Sequence, residues 1–214
     1  MRRFPILFLA GALAFGLPLL AAAKVNGSVL VEAGQPAADA STVNGAVRVA
    51  AGAVVLKAST VNGSITLGDR AQAQGVGTVN GSITLGSGSR VAGDVHAVNG
   101  RIQLGSDADV AGKLHNVNGT ILLDHAHVAG GISTVNSDLT VGAGSHVEGG
   151  ILFERPGGSF NWGANTPPLV VIGPHAVVQG TLEFRREVVL KVSDSAQIGP
   201  VKGATVVKFS GATP

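Results

Sequence analysis

The triplet Val-Asn-Gly recurs almost every eighteen residues through two thirds of the chain, with its asparagine at Asn26, Asn44, Asn62, Asn80, Asn99, Asn118 and Asn136. Ser137 replaces the glycine in the last copy, and the successive intervals are 18, 18, 18, 19, 19 and 18 residues. This period is shorter than a helical-hairpin repeat and far shorter than a propeller blade. Each unit is therefore one coil of a stacked solenoid.

One coil shows how the chain turns. In the segment from Val98 to Leu114, apolar residues fall two apart, as in Ile102/Leu104 and Ala108/Val110, followed by Leu114 and then Val117. Alternate residues of a strand share a face, so each pair reads as a short strand with its apolar side inward. The pairs step by about six residues, and three steps complete a coil. Between them stand Asn99-Gly100, Gly105-Ser106 and Ala111-Gly112, turn dipeptides in which Gly and Asn take positive φ at low cost. Asn-Gly is also the strongest hairpin signal. The flanking runs are only about three residues long, however, and a meander of such strands would bury too little.

The columns continue from coil to coil: Ile65, Ile83, Ile102, Ile121 and Leu139; Leu67, Leu85, Leu104, Leu123 and Val141; Val91, Val110, Val128 and Val147. Each predicts a ladder of like side chains at the roughly 4.8 Å strand spacing, with amides pairing coil to coil in parallel and the asparagines forming a ladder at one corner. After a Pro-, Gly- and Asn-rich break at 154–168, the pattern resumes at Ile172–Leu182 and again, more faintly, at Val192–Gly199; Thr205–Phe209 reads as a last strand and end cap. The expected fold is all-β: a single-stranded parallel β-helix with three sides, about nine coils of 18–19 residues, and a rod on the order of 40 Å long. The crossover rule favours the right-handed form. Six-residue steps also occur in left-handed solenoids, so both hands stay open.

Met1-Arg2-Arg3, the apolar run Phe4–Leu20 and Ala21-Ala22-Ala23 read as a basic start, a hydrophobic segment and a small-residue cleavage site. That is the pattern of a secretory signal peptide; Gly16 and Pro18 break the run, and no basic stop-transfer flank follows. The expected organisation is 1–23 signal peptide, 24–152 regular coils, 153–168 loop insertion and 169–214 final coils with a cap. A secreted or periplasmic location follows, with no membrane span after cleavage. The whole chain has 15 Lys plus Arg against 13 Asp plus Glu. Loss of Arg2 and Arg3 leaves 13 against 13, so no basic surface recommends nucleic acid. The absence of cysteine excludes a disulfide framework and a lipidated cysteine.

Candidate chemistry rests on histidine. His96 and His115 lie 19 apart on an outer face, and His127 and His146 form a second such pair; imidazoles one strand spacing apart could hold a metal. Spacing fixes no carboxylate beside either pair, so the alternative is solvent-facing polar positions that happen to be histidine, with no cofactor. The six-residue step also fits hexapeptide-repeat enzymes, either acyltransferases or metal-dependent ones, using surface histidines. Those enzymes call for a catalytic loop and a helical tail, and the loop at 154–168 has no histidine. In the chain after residue 23, Phe153, Phe160, Trp162, Phe184 and Phe209 all lie beyond residue 152, near Glu183-Phe184-Arg185-Arg186-Glu187. They read either as a cap over an open coil or as a partner site built on Phe160, Trp162, Arg185 and Arg186.

The runs TVNGSITLGSGSRVAGDVHAVNGRIQLGSDADVAGKLHNVNG and VIGPHAVVQGTLEF resemble the coils of the bactofilin, or polymer-forming cytoskeletal, family, and the TVNGSI units are similar to repeats of secreted bacterial adhesins. The likeness covers nearly all of residues 24–200. It implies a rigid, non-enzymatic rod that associates with copies of itself by coil stacking or with the cell envelope. The signal peptide departs from typical bactofilins and points away from a cytosolic cytoskeleton.

Overall fold

The computed structural model describes residues 22–157 and 166–214. It contains 23 strands, from Ala22–Asn26 to Val206–Phe209, and no helix among the described residues. Every strand pairing is parallel and joins a residue to its equivalent one coil on: Ala40 to Ala58, Val95 to Leu114 and, across the insertion, Val147 to Val178. The result is a β-solenoid with three faces.

The first face enters the Asn-Gly corner and runs in ten rungs from Ala22–Asn26 to Val201–Lys202. The second leaves the corner and also has ten, from Val29–Val31 to Val206–Phe209. The third is made of short strands and has eight, from Val54/Val55 to Gln197/Ile198. The sequence suggested about nine coils, whereas ten rungs are present. The segment Thr205–Phe209, read as a last strand and end cap, does hold the last strand, Val206–Phe209, which pairs with Leu190–Ser193 as a full tenth rung. Ala22 and Ala23, assigned to the signal segment, extend the first rung against Ala40 and Ser41; the rest of that segment lies outside the described residues.

The interior is the stack of apolar columns. Ile65, Ile83, Ile102, Ile121 and Leu139 are fully buried, as are Leu67, Leu104, Leu123 and Val141. One reading fails at the corner: Val117, expected inward, is half-buried on the outside, and Asn116 takes the inward position. Strand alternation from the buried Leu114 requires this. Hence the valines of Val-Asn-Gly form an outer stripe, most open at Val25, Val43, Val61 and Val79.

At the corner, each asparagine from Asn44 to Asn118 donates its Nδ2 to the Oδ1 of the asparagine one coil before, at 2.9–3.0 Å. The following glycine takes the expected positive φ at Gly27, Gly45, Gly100 and Gly119, and from Gly45 onward close contact requires it as well. A Cβ at Gly81 would sit 1.9 Å from the carbonyl oxygen of Gly63, and one at Gly119 would sit 2.0 Å from that of Gly100. Ser137 escapes because its side chain turns inward, where it is buried and accepts a hydrogen bond from Thr134 Oγ1.

Behind these glycines runs an inward column of Thr42, Thr60, Thr78, Ala97, Asn116 and Thr134. Thr42, Thr60 and Thr78 donate to the carbonyls of Gly27, Gly45 and Gly63. Asn116 repeats the bond, Nδ2 to Gly100 O at 3.1 Å, but its buried Oδ1 has no hydrogen-bond partner. A buried unsatisfied acceptor costs about 1–3 kcal/mol. Asn116→Thr keeps the donor and deletes the orphan, so it is expected to raise unfolding free energy by about 1 kcal/mol in a urea titration. An unchanged or lower midpoint would count against this account.

The column then changes character. Phe153 and Phe184 occupy its next two places, with 0% and 4% exposure and ring centroids 5.3 Å apart. Phe153, assigned by sequence to the loop, closes the strand Ile151–Phe153. Both rings are core.

Candidate functional site

The third face and its preceding corner carry the densest set of titratable side chains. At that corner the backbone turns through the left-handed region at Gly34, Gly52, Arg70, Gly88, Asp107, His125, Gly144 and His175. Glycine fills four of the eight places. The glycine expected to make the turn, Gly105, lies two residues before Asp107, which takes the positive φ of 58°. Asp and His adopt this conformation more readily than most side chains.

Along the outer side of the third face, Arg90, Asp109, His127 and His146 stand in register on consecutive rungs. The expected stacking of His127 on His146 holds, with ring centroids 5.6 Å apart and the rings edge to face. Two carboxylates accompany the pair. His127 Nδ1 donates to Asp109 on the rung before, and Nε2 donates to Glu148 Oε1 at 3.1 Å, just after His146 on the rung beyond. Both ring nitrogens can donate only in the imidazolium form. The Asp109 hydrogen bond is the main influence raising the His127 pKa above its ordinary value, with Glu148 adding to it and burial opposing it. Gln179 Nε2 donates to His146 Nε2 at 3.0 Å, and Asp124 pairs with the exposed His125 at 2.9 Å.

The expectation that spacing fixes no carboxylate beside either pair fails at Asp109, which precedes His127 by the 18-residue period and stands in register with it. Glu148 obeys no such step. It lies two residues past the register position, within reach only because alternate residues of a strand share a side.

His96 and His115 also stack in register, on the first face. The His96 ring lies over Gly77, where a Cβ would collide with it. Burial lowers the His96 pKa, with Lys57 and His115 adding to the effect and Asp94 opposing it. His96 and His127 are thus shifted in opposite directions. Among the described residues, no group of three His, Cys, Asp or Glu side chains is arranged to hold a metal ion.

Of the partner-site candidates, Phe160 and Trp162 lie outside the described residues. Arg185 bonds Glu183 at 2.7 Å and Glu154 at 2.8 Å. Arg186 Nη1 donates to Val135 O and Asn136 Oδ1, both at 2.9 Å, so it reaches back to the last asparagine corner. No family model, curated protein or solved structure matches this chain.

Proposed function

We propose that this chain is a non-enzymatic structural rod of the secreted or periplasmic space, an envelope scaffold or adhesin-like module that associates with further copies of itself. The observation that carries this reading is the direction of its polar side-chain bonds: they run along the rod, from coil to coil. Asp39, Asp69, Asp94 and Asp138 each accept a backbone N–H of the next coil, from Lys57, Ser87, Lys113 and Leu169. The asparagines bond one another, His127 and Arg185 link neighbouring coils, and Arg186 reaches back two coils to Asn136.

Self-association is supported by the ends. Among the described residues the first and last rungs each pair on one side only, and Val25, Leu30 and Val207 there are 69%, 60% and 52% exposed. A flat, unpaired strand edge is a template for another chain. Electron micrographs and sedimentation of the protein lacking residues 1–23 are expected to show filaments or end-to-end oligomers that grow with concentration. Strictly monomeric particles at high concentration would count against self-association. Cell fractionation followed by crosslinking tests the envelope location separately.

A further inference from the structure

We propose that Asp109, His127 and Glu148 form a proton-dependent lock that ties the regular Val-Asn-Gly coils to the coils around the insertion, closing below neutral pH and loosening above it. The three side chains sit on three successive rungs, with one imidazole between two carboxylates. His146 carries the connection onward through Gln179, which stands on the first third-face rung after the insertion. This chain of contacts therefore crosses the junction at which the repeat is interrupted.

Its charge logic is local. The groups facing His127 are Asp109 from the rung before, His146 and Glu148 from the rung beyond, and Asp107 and His125, the latter paired with Asp124, along the groove; Arg90 supplies a cation in register beneath Asp109. As imidazolium, His127 donates to both carboxylates. As neutral imidazole it keeps one N–H, and the second carboxylate then faces a nitrogen lone pair.

The folded-state pKa of His127 lies above the free value of 6.5. The stabilisation is therefore complete below about pH 6.5 and is lost as pH rises through the folded value. Side-chain exposures of 38%, 40% and 49% mean that solvent screens the lock, so it modulates a stable rod rather than deciding whether it folds.

Two measurements test the lock. In the chain without residues 1–23, NMR titration of the His127 ring is expected to give a pKa above 6.5; a value at or below 6.5 overturns the proposal. Between pH 6 and 9, hydrogen exchange at the rungs around His127 and His146 should accelerate by several-fold more than at the Thr66 and Thr84 rungs. The apparent Tm should fall by roughly 2–4 °C in the parent. In His127→Gln, which cannot titrate, both local trends should disappear. Equal pH slopes in parent and variant would assign the trends to other groups and overturn the lock.

Discussion

Gly81→Ala is expected to unfold the centre of the rod under conditions where the parent is intact. The added methyl would lie 1.9 Å from the Gly63 carbonyl oxygen and 2.5 Å from its carbon. Both obstacles are backbone, so no rotamer change relieves them. The backbone itself is held: Gly63 N donates to Asn80 O and Gly81 N to Asn99 O, each at 2.9 Å. Separating the two coils enough to admit the methyl means breaking these bonds and the asparagine bonds beside them. The loss should reach or exceed the upper end of the about 1–3 kcal/mol typical of overpacking. Gly157→Ala is the matched control, because a Cβ there meets nothing within 4 Å, and its effect should stay within about 0.5 kcal/mol. Urea unfolding followed by circular dichroism distinguishes them. A Gly81 variant as stable as the control would show that the corner can relax and that its glycine is dispensable.

That corner shows both what the sequence encodes plainly and what it hides. Period and alternation were sufficient to place the Ile, Leu and Val columns, because burial in a coil obeys simple spacing. They were sufficient too for the asparagine ladder and for the register of both histidine pairs. One reason for the glycine was legible and one hidden: in one coil it reads as a turn residue with positive φ, as Gly27, Gly45, Gly100 and Gly119 are, and only the coil beneath reveals the collision. Glu148 stayed hidden for a related cause, since a diagonal contact between rungs does not obey the 18-residue step. Arg185 and Arg186 read as part of a partner site; Glu183 lies two residues from Arg185, but the other partners, Glu154 and Asn136, are separated from the arginines in sequence by a stretch that includes the insertion. Repeat arithmetic finds what lies directly above and below. It does not find what a long side chain reaches sideways.

The aromatic residues make the same point energetically, and Phe153→Ala is expected to be the most damaging truncation in the second half of the rod. Through the Asn-Gly coils, the inward place beside the corner is Thr, Ala or Asn, and Thr42, Thr60, Thr78 and Asn116 donate to a glycine carbonyl one coil before. The corner one coil before Phe153 is Asn136-Ser137, without a glycine, and after Phe153 the chain leaves the coil for the insertion instead of repeating an Asn-Gly corner. Phe153 and Phe184 fill the space. Their strands are fixed at both margins, with Glu154 N bonded to Thr134 O at 2.8 Å and Arg185 N to Phe153 O at 2.9 Å. Truncating Phe153 therefore leaves a cavity whose walls cannot collapse readily, and the expected cost is about 3–5 kcal/mol. Phe153→Leu, which retains most of the volume, should cost less. Because a solenoid's coils contact only their neighbours, the damage should be greatest near the insertion and fade toward the Val47 and Ile65 rungs. Site-resolved hydrogen exchange would display that gradient. A uniform loss along the rod would mean that its coils unfold as a single unit, and a cost below about 1 kcal/mol would mean that the ring is not part of the core.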